Sequence, residues 1–358
     1  MTTRRRTRRI RVGSVDIGND APISIQSMIT TDPVNTEDAI AEINGLALAG
    51  CELVRVAVPT AASAKAIRTL KERVTIPIIA DIHFDYKLAL SAIESGVDGL
   101  RINPGNIGGD DKVAAVVAAA KPKKIPMRIG VNAGSLPAHI LKAHGGHPTS
   151  DGMVEAALEH IRILERMDYR DMKVSIKSTE VPMMIEAYRK LSAAIDYPLH
   201  LGVTEAGTIR TGTIKSAIGI GALLNDGIGD TMRVSLTGDP VHEIETAQGI
   251  LSALGLRSFG ATMISCPTCG RCQVNLFGMA DIVEDRLKSI GAPIKVAVMG
   301  CVVNGPGEAR EADFGIAGGN GQGIVFRKGK VIKTVPEGEL VEALFAEIEA
   351  YLAEHPEG

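Results

Sequence analysis

A short, nearly continuous apolar segment, ELVRVAV at residues 52–58, decides the fold because similar segments recur along most of the chain. Apolar runs of this kind are typical of parallel strands that helices cover. The residues before it, 37–49, have helical spacing, with Ala39, Ile43 and Ala47 on one stripe. Similar strand-like segments lie at 22–28, 77–82, 99–104, 127–134, 172–178, 199–207 and 230–236. Eight strands that alternate with helices over about 235 residues predict a (β/α)8 barrel of the TIM type.

The alternating pattern stops at about residue 258 and a second pattern begins. We therefore predict an α/β fold with two domains, a barrel at 1–258 and a smaller α+β domain at 259–358. The smaller domain is predicted to contain a helix at 279–290, a strand at 294–300, hairpin turns at 318–323 and 328–330, and an amphipathic helix at 340–352.

Polar residues stand near the C-terminal ends of the predicted strands. In a barrel all these ends meet at one rim, where active sites are built. A structural salt bridge is the alternative interpretation for any one of them taken alone. The residues are Gln26, Arg55, Asp81, His83, Arg101, Asn103, Arg128, Asn132, Lys177, Thr204, Glu205, Arg233 and Ser235.

Four of these rim residues are cations that interrupt otherwise apolar strands, namely Arg55, Arg101, Arg128 and Lys177. They would repel one another unless an anion lay between them. Arginine forks match phosphate oxygens, and lysine adds a point charge. A substrate with two phosphates, or a diphosphate, is therefore expected. The titratable groups left to transfer protons are Asp81, His83 and Glu205.

Four of the five cysteines lie in the last third of the chain. Cys266, Cys269 and Cys272 follow one another at two-residue intervals, and Cys301 lies further on. Thiolates in this number suit an iron–sulfur cluster or a zinc ion. A four-cysteine zinc site usually pairs two CxxC turns, whereas this chain has one run and one distant cysteine, which favours a cubane cluster. Buried, inert thiols and disulfides are the alternatives.

The loop after Cys301 contains the run Asn304-Gly305-Pro306-Gly307-Glu308. Its glycines let the backbone approach a cluster closely and return Glu308 towards it. A carboxylate is a weaker, exchangeable ligand for iron than a thiolate is. Three thiolates and Glu308 would leave one iron open to a substrate, which indicates a catalytic cluster.

Composition and charge exclude several classes of protein. The net charge of −3 argues against nucleic-acid binding, and no apolar run is long enough to span a membrane. The start of the chain, MTTRRRTRRIRVG, has no apolar stretch after its arginines and is predicted to be a solvated, partly disordered arm. A cytoplasmic protein is expected.

Several motifs together resemble the 4-hydroxy-3-methylbut-2-enyl diphosphate synthase family of the methylerythritol phosphate isoprenoid pathway. They are CPTCGR, MGCVVNGPGEA, LRINPGNIG, RIGVNAGSL, LHLGVTEAG and GIGDTMRVSL, and the resemblance runs from about residue 8 to about residue 350. It implies a barrel that binds 2-C-methyl-D-erythritol 2,4-cyclodiphosphate and a second domain that holds a [4Fe–4S] cluster. The family opens the ring and removes a hydroxyl as water, with two electrons from reduced flavodoxin or ferredoxin.

The resemblance also implies roles for particular residues and a homodimer. The cluster domain of one subunit would close over the barrel of the other, so that the active site is shared. The implied cluster ligands are Cys266, Cys269, Cys301 and Glu308. The implied substrate-binding residues are Arg55, Arg101, Arg128, Asn132, Lys177 and Ser235. The implied catalytic groups are Glu205, Glu308, Asp81 and His83.

One departure from the family pattern is Cys272, which stands where the family has another residue. Cys272 could compete as a cluster ligand in a ferredoxin-like run, but we interpret it as a free thiol near the cluster. Cys51 is predicted to be a core residue. Two other functions remain open at this point. One is a zinc-stabilised barrel lyase or hydrolase that acts on a sugar phosphate. The other is a non-catalytic iron–sulfur carrier, which would leave the four rim cations unexplained.

Overall fold

A computed structural model describes residues 3–103, 107–301 and 309–355. The chain divides into two compact units, Met1–Arg257 and Ser258–Gly358. In the described part of the chain, every helix is too short or too polar to cross a membrane. The first unit begins with a two-stranded antiparallel hairpin, β1 (Ile10–Val12) and β2 (Val15–Ile17).

Eight parallel strands form the barrel of the first unit, which confirms the predicted fold class. They are hydrogen-bonded in the order β8-β7-β6-β5-β4-β3-β10-β9. A parallel bridge between Val174 and Leu199 joins the two ends of this order and closes the circle. The strands are β3 (Ser24–Met28), β4 (Leu53–Ala57), β5 (Ile78–Asp81), β6 (Gly99–Ile102), β7 (Met127–Asn132), β8 (Met172–Lys177), β9 (His200–Leu201) and β10 (Thr231–Met232).

Helices follow the strands and cover the barrel with their apolar faces. In α2, for example, Ala64, Ile67 and Leu70 are buried, and the Thr60 side chain caps the first turn by accepting a hydrogen bond from the Ser63 N–H. The helices are α1 (Thr36–Leu48), α2 (Ala61–Arg73), α3 (Tyr86–Glu94), α4 (Asp110–Ala120), α5 (Ala138–Ala143), α6 (Ser150–Arg166), α7 (Val181–Ala194), α8 (Ile209–Asn225) and α9 (Val241–Ala253).

The last two barrel strands are shorter than predicted. The segment 199–207 contributes only two residues to β9. Glu205 (φ 51°) and Gly207 (φ 114°) adopt left-handed backbone conformations, which end the extended run. The chain bends at Thr204 and Glu205, beyond the end of β9, and the Glu205 side chain is exposed there.

The prediction of a solvated N-terminal arm is wrong. Arg4 pairs with the buried Asp230 at 3.0 Å, and the Arg5 guanidinium donates to the carbonyl oxygens of Ser192 at 3.0 Å and Tyr197 at 2.7 Å. The hairpin buries Ile10, Val12 and Ile17 against Leu53 and Ile79, at the end of the barrel where the strands begin. The prediction was based on the run of arginines and overlooked the alternating apolar residues that follow it. Arginine side chains can donate to backbone carbonyl oxygens in place of water, as Arg5 does.

The second unit contains a five-stranded sheet in the order β11-β12-β13-β14-β15. The first three strands are parallel and the last three antiparallel. Two helices pack their apolar residues on the sheet, as Val283 and Leu344 do against Val298. The elements are β11 (Thr262–Ser265), α10 (Leu276–Leu287), β12 (Lys295–Met299), β13 (Phe314–Gly319), β14 (Gln322–Arg327), β15 (Lys330–Pro336) and α11 (Leu340–Glu354).

The predicted helices, strand and hairpin turns of this unit are confirmed. Helix α10 begins three residues earlier than predicted because the Asn275 side chain accepts a hydrogen bond from the Gly278 N–H and caps it there. Strand β11 was missed, since it is short and its residues are exposed or half-buried.

Candidate active site

Strand register places several of the predicted rim residues side by side. Asp81 pairs with Arg101 across β5 and β6, and Arg101 pairs with Arg128 across β6 and β7. Asn132 pairs with Lys177 at the ends of β7 and β8. Residues in register on neighbouring strands point to the same side of a sheet, so these side chains face the barrel interior together.

Asp81 is the buried carboxylate of this cluster. It lies 3.0 Å from Arg101 Nη1, 3.4 Å from Arg55 Nε and 3.4 Å from His83 Nε2. Burial alone would raise the pKa of Asp81, but the hydrogen bond from His83 and the charges of Arg55, Arg101 and Arg128 outweigh it and lower that pKa. Asp81 therefore holds the arginines in place as an anion, which argues against its predicted use as a proton donor.

Replacing Asp81 by asparagine is expected to lower the free energy of unfolding by about 3–5 kcal/mol, because two buried guanidinium groups lose their counter-charge. A lowered carboxyl pKa stabilises the fold at all pH values above the unfolded-state pKa, and this contribution disappears only as the pH falls through the folded-state pKa. The loss measured by chemical denaturation should therefore be equal at pH 5.5 and pH 8. The exposed Glu37, which pairs with Arg73, supplies the control substitution Glu37→Gln, for which stability should hardly change. A D81N protein as stable as the wild type would contradict this role.

Arg128 is buried, with 3% of its surface exposed. Its Nε and Nη1 atoms nevertheless have no hydrogen-bond partner among the described residues. Burial, together with the charges of Arg55 and Arg101, lowers its pKa well below the ordinary arginine value. Buried polar groups are nearly always paired in folded proteins. Two buried guanidinium nitrogens without a described partner therefore indicate a position where an anionic ligand binds.

Lys177 and Arg233 complete the positive side of the rim. The Lys177 Nζ atom lies against the backbone of Gly202. A Cβ atom added to residue 202 would be only 2.5 Å from this nitrogen, so glycine is required at that position. Burial and the charges of Arg128 and Arg233 lower the pKa of Lys177. Arg233 differs from Lys177 because it has a carboxylate partner, with its Nη2 3.4 Å from Glu243 Oε1.

The remaining predicted residues stand around this buried cluster. Asn132 and Ser235 are half-buried at the strand ends, while His83 and Glu205 are exposed. Glu205 combines an exposed carboxyl with a left-handed backbone conformation that is uncommon for a residue other than glycine. Such strain often accompanies function, so it adds support to the predicted role of Glu205.

Sequence reasoning missed two buried interior residues, Lys173 and His200. Lys173 is 2% exposed and His200 is fully buried. A signal was present for Lys173, because Lys173, Ser175 and Lys177 alternate along β8 and must share one face. For His200 the two-residue strand β9 offered no such alternation.

Thiols gather at one end of the sheet in the second unit. Cys266 follows β11, and Cys301 follows the neighbouring parallel strand β12. The Gly300 N–H donates to Cys266 Sγ at 3.2 Å. Cys272 lies beside the same glycine, since a Cβ at Gly300 would stand 2.7 Å from Cys272 Sγ. Three thiol-bearing residues therefore surround one glycine of the chain.

Cys269 lies on the exposed part of the same turn. Hydrogen bonds from Arg271 lower the pKa of Cys269, which favours the thiolate that metals bind. Within residues 3–103, 107–301 and 309–355, no three His, Cys, Asp or Glu side chains are grouped closely enough to hold a metal ion. The predicted ligand Glu308 lies outside the described residues. The donors fit an iron–sulfur cluster in their chemistry, because soft thiolates and an N–H···S hydrogen bond are its usual surroundings.

Cys51 is confirmed as a core residue. It is 3% exposed, and its thiol donates to the Leu53 carbonyl oxygen at 3.1 Å. Burial raises the pKa of Cys51 to about 11, so this thiol is inert at neutral pH.

A closed parallel barrel with a cluster of buried basic side chains on its strands, of which Lys177 stands at a C-terminal strand end and Arg128 near the start of β7, is an architecture expected of a TIM-barrel enzyme for phosphorylated compounds. Comparison with protein families specifies this class further. Residues 7–248 match the GcpE TIM-barrel domain, and residues 262–350 match the GcpE protein C-terminal domain. The chain belongs to the GcpE family.

Curated relatives match this chain over almost its whole length. The protein from Geobacter sulfurreducens is 59% identical over 349 residues, covering 98% of this chain and 99% of the relative. The protein from Bacillus subtilis is 57% identical over 355 residues, covering 99% of this chain and 94% of the relative. Both are named 4-hydroxy-3-methylbut-2-en-1-yl diphosphate synthase (flavodoxin).

Solved structures with little sequence identity share the barrel alone. A truncated 3-deoxy-D-arabino-heptulosonate 7-phosphate synthase from Thermotoga maritima aligns with a TM-score of 0.52 at 10% identity, covering 71% of this chain and 95% of that one. A 3-dehydroquinate dehydratase from Geobacillus kaustophilus aligns with a TM-score of 0.50 at 16% identity, covering 70% and 98%. Both likenesses agree with the TIM-type fold class.

Proposed function

We infer that this chain converts 2-C-methyl-D-erythritol 2,4-cyclodiphosphate to (E)-4-hydroxy-3-methylbut-2-enyl diphosphate by reductive ring opening and dehydroxylation, in isoprenoid precursor biosynthesis. The names of its near-full-length relatives support this reaction. The structural observation that carries the inference is the buried Arg128, whose Nε and Nη1 atoms have no hydrogen-bond partner among the described residues and which lies near Arg55 and Arg101. A diphosphate is the ligand that such a cluster of cations would bind most strongly.

The rim residues divide the work of binding the substrate. Arg55, Arg101, Arg128 and Lys177 hold the two phosphates, and Asn132 and Ser235 add hydrogen bonds. Asp81 keeps Arg55 and Arg101 in position through the ion pairs described above. Because these groups are largely buried, their charges act on the substrate in a medium of low effective dielectric constant.

The second unit holds the redox cofactor in this proposal. Cys266, Cys269, Cys301 and Glu308 are the residues that would bind a [4Fe–4S] cluster. When bound, the cluster would pass to the substrate, one at a time, the two electrons that the donor protein provides. Reduced flavodoxin is the proposed donor, as in the names of the relatives, and reduced ferredoxin remains a predicted alternative. The Gly300 N–H adds a hydrogen bond to the Cys266 sulfur.

Glu205 is the proposed acid that protonates the departing hydroxyl, and His83, which lies 3.4 Å from Asp81, is a second candidate proton carrier. Replacing Glu205 by glutamine should lower kcat by about 10²- to 10⁴-fold, the usual contribution of a general acid, and change KM by much less. The exposed Glu72 on α2 offers the matched control Glu72→Gln, which should leave both constants unchanged. An E205Q protein with a raised KM and a normal kcat would assign Glu205 to substrate binding instead.

Metal analysis of anaerobically purified protein separates this proposal from a zinc-stabilised barrel lyase or hydrolase. We expect a brown protein with about four iron and four sulfide per chain. A colourless protein with one zinc per chain, unchanged after anaerobic reconstitution with iron and sulfide, would remove the redox reaction. The homodimer with a shared active site and the cytoplasmic location stay predictions of the sequence.

A further inference from the structure

Beneath the rim, the barrel interior contains polar side chains that no described residue satisfies. Lys173 Nζ, both ring nitrogens of His200 and both side-chain polar atoms of Gln26 are buried without a hydrogen-bond partner. Lys173 is in register with Arg128 on the neighbouring strand, and His200 is in register with Thr231. These unpartnered polar groups therefore lie beside Arg128 in the barrel interior.

Positive charge exceeds negative charge in this part of the barrel. Two buried carboxylates face it, and both are already engaged: Asp81 pairs with Arg55 and Arg101, and Glu243 pairs with Arg233. Arg128, Lys173 and Lys177 form no ion pair with a described carboxylate within 4.0 Å. Like charges in a buried site disfavour one another strongly, so the most easily deprotonated member of the set loses its proton.

Lys173 is that member. Burial and the charge of Arg128 lower the pKa of Lys173 to about 7. Arg128 faces it from β7 and His200 from β9, while Lys177 follows it on β8. Burial and then the charges of Arg128, Lys177, Lys173 and Arg55 lower the pKa of His200, so His200 stays a neutral imidazole. Arginine cannot release a proton near neutral pH, which leaves lysine as the adjustable charge.

We propose that Lys173, whose buried Nζ has no described partner beside Arg128, is a proton-uptake residue of the substrate pocket that gains a proton when the phosphates of a ligand bind at Arg128. The anion removes the excess of positive charge that excludes the proton from Lys173. Lys173 lies beside Arg128 on the neighbouring strand and acts on the ligand through its charge next to that arginine, which makes it a positioning residue.

This role suits the reaction in the proposed function, on which it rests for the identity of the ligand. Ring opening turns a cyclic diphosphate, in which each phosphate carries one ionisable oxygen, into a linear diphosphate with one more. The phosphate site must therefore hold anions of two different charges within one turnover. A lysine that gains or loses a proton lets the pocket match both of them.

The test measures the number of protons taken up when a diphosphate binds to the anaerobic, cluster-loaded protein. Titration calorimetry at pH 8 in two buffers of different ionisation enthalpy gives this number for the cyclodiphosphate and for inorganic diphosphate. At pH 8 a lysine with a pKa of about 7 is roughly nine-tenths neutral. We therefore expect the wild type to take up about 0.9 more protons than Lys173→Met, and this difference to fall to about 0.1 at pH 6.

Two further variants make the result unambiguous. Lys173→Arg keeps the charge but cannot titrate, so it should lose the extra uptake and bind at least as tightly as the wild type at pH 8. The exposed Lys65 on α2 supplies the control Lys65→Met, with wild-type uptake. If Lys173→Met does not fold, the proton uptake of Lys173→Arg, compared with that of the wild type, tests the proposal by itself.

Equal proton uptake by the wild type and both Lys173 variants would overturn the proposal. The two ligands separate it from the proposed function. A protein that binds inorganic diphosphate with the expected uptake but does not bind the cyclodiphosphate would refute the proposed substrate and leave the role of Lys173 standing. Binding of neither anion would overturn both.

Discussion

Replacing Arg128 by methionine is expected to weaken binding of the cyclodiphosphate and, at the same time, to stabilise the empty protein. Loss of one partner of a buried, hydrogen-bonded charge pair costs about 2–5 kcal/mol, or roughly 30- to 3,000-fold in affinity. Without ligand, however, Arg128 is a buried cation with two unpartnered nitrogens. Exchange of a buried charge for an apolar side chain of similar volume is often stabilising, by about 1–4 kcal/mol.

The opposite signs of these two effects distinguish a binding residue from a structural one. Affinity is measured by titration calorimetry and stability by thermal unfolding of the ligand-free protein. Arg166, on the surface of α6 and paired with Asp110 at 3.2 Å, offers the control Arg166→Met, which should change neither quantity appreciably. An R128M protein that is less stable than the wild type and binds the cyclodiphosphate normally would show that Arg128 stabilises the fold. Its proposed role in binding the substrate phosphates would then be wrong.

The second large effect is expected from Cys266→Ser. Serine is a poor ligand for iron, and Cys266 is the proposed ligand whose sulfur accepts the Gly300 N–H bond at 3.2 Å. The variant should lose most of its iron and sulfide, its visible absorption and its turnover, which should fall to background. Far-ultraviolet circular dichroism should remain that of the wild type, because Cys266 is only half-buried at the edge of the second unit.

Two other cysteines provide matched controls for this experiment. Cys51→Ala removes a buried thiol of the barrel and should leave iron content unchanged. Cys272→Ser tests the thiol beside Gly300 that the proposal leaves uncoordinated, and it too should keep four iron atoms and wild-type turnover. If C272S lost the cluster while C266S retained it, the proposed ligand set would be wrong and Cys272 would replace Cys266 in it.

The sequence predicts the barrel well because its strands are buried on both faces. Runs such as ELVRVAV are typical of strands that helices cover, and eight of them in alternation with helices favour a barrel. Prediction fails where a tertiary contact overrides local composition. The arginines of the N-terminal arm look solvated, yet Arg4 and Arg5 bind barrel groups that are more than 180 residues away in sequence.

In the candidate site, too, the sequence predicts some features, while others depend on tertiary contacts. Polar residues at strand ends were visible in the sequence, and strand register places Asp81, Arg101 and Arg128 next to one another. Sequence reasoning could not separate their roles, because only the distances reveal that Asp81 is a counter-ion for Arg55 and Arg101. Lys173 was missed for a related reason. Its lowered pKa results from burial and from the nearby charge of Arg128, and neither can be read from the residue type.

Turnover of the cyclodiphosphate by the anaerobically purified, cluster-loaded protein tests the central claim most directly. The assay supplies reduced flavodoxin and follows the phosphorus resonances of the substrate and the product. We expect that the two resonances of the cyclic diphosphate are replaced by those of (E)-4-hydroxy-3-methylbut-2-enyl diphosphate, and that C266S forms no product. A protein with about four iron and four sulfide per chain that binds the cyclodiphosphate, accepts electrons from flavodoxin and leaves the ring closed would contradict it.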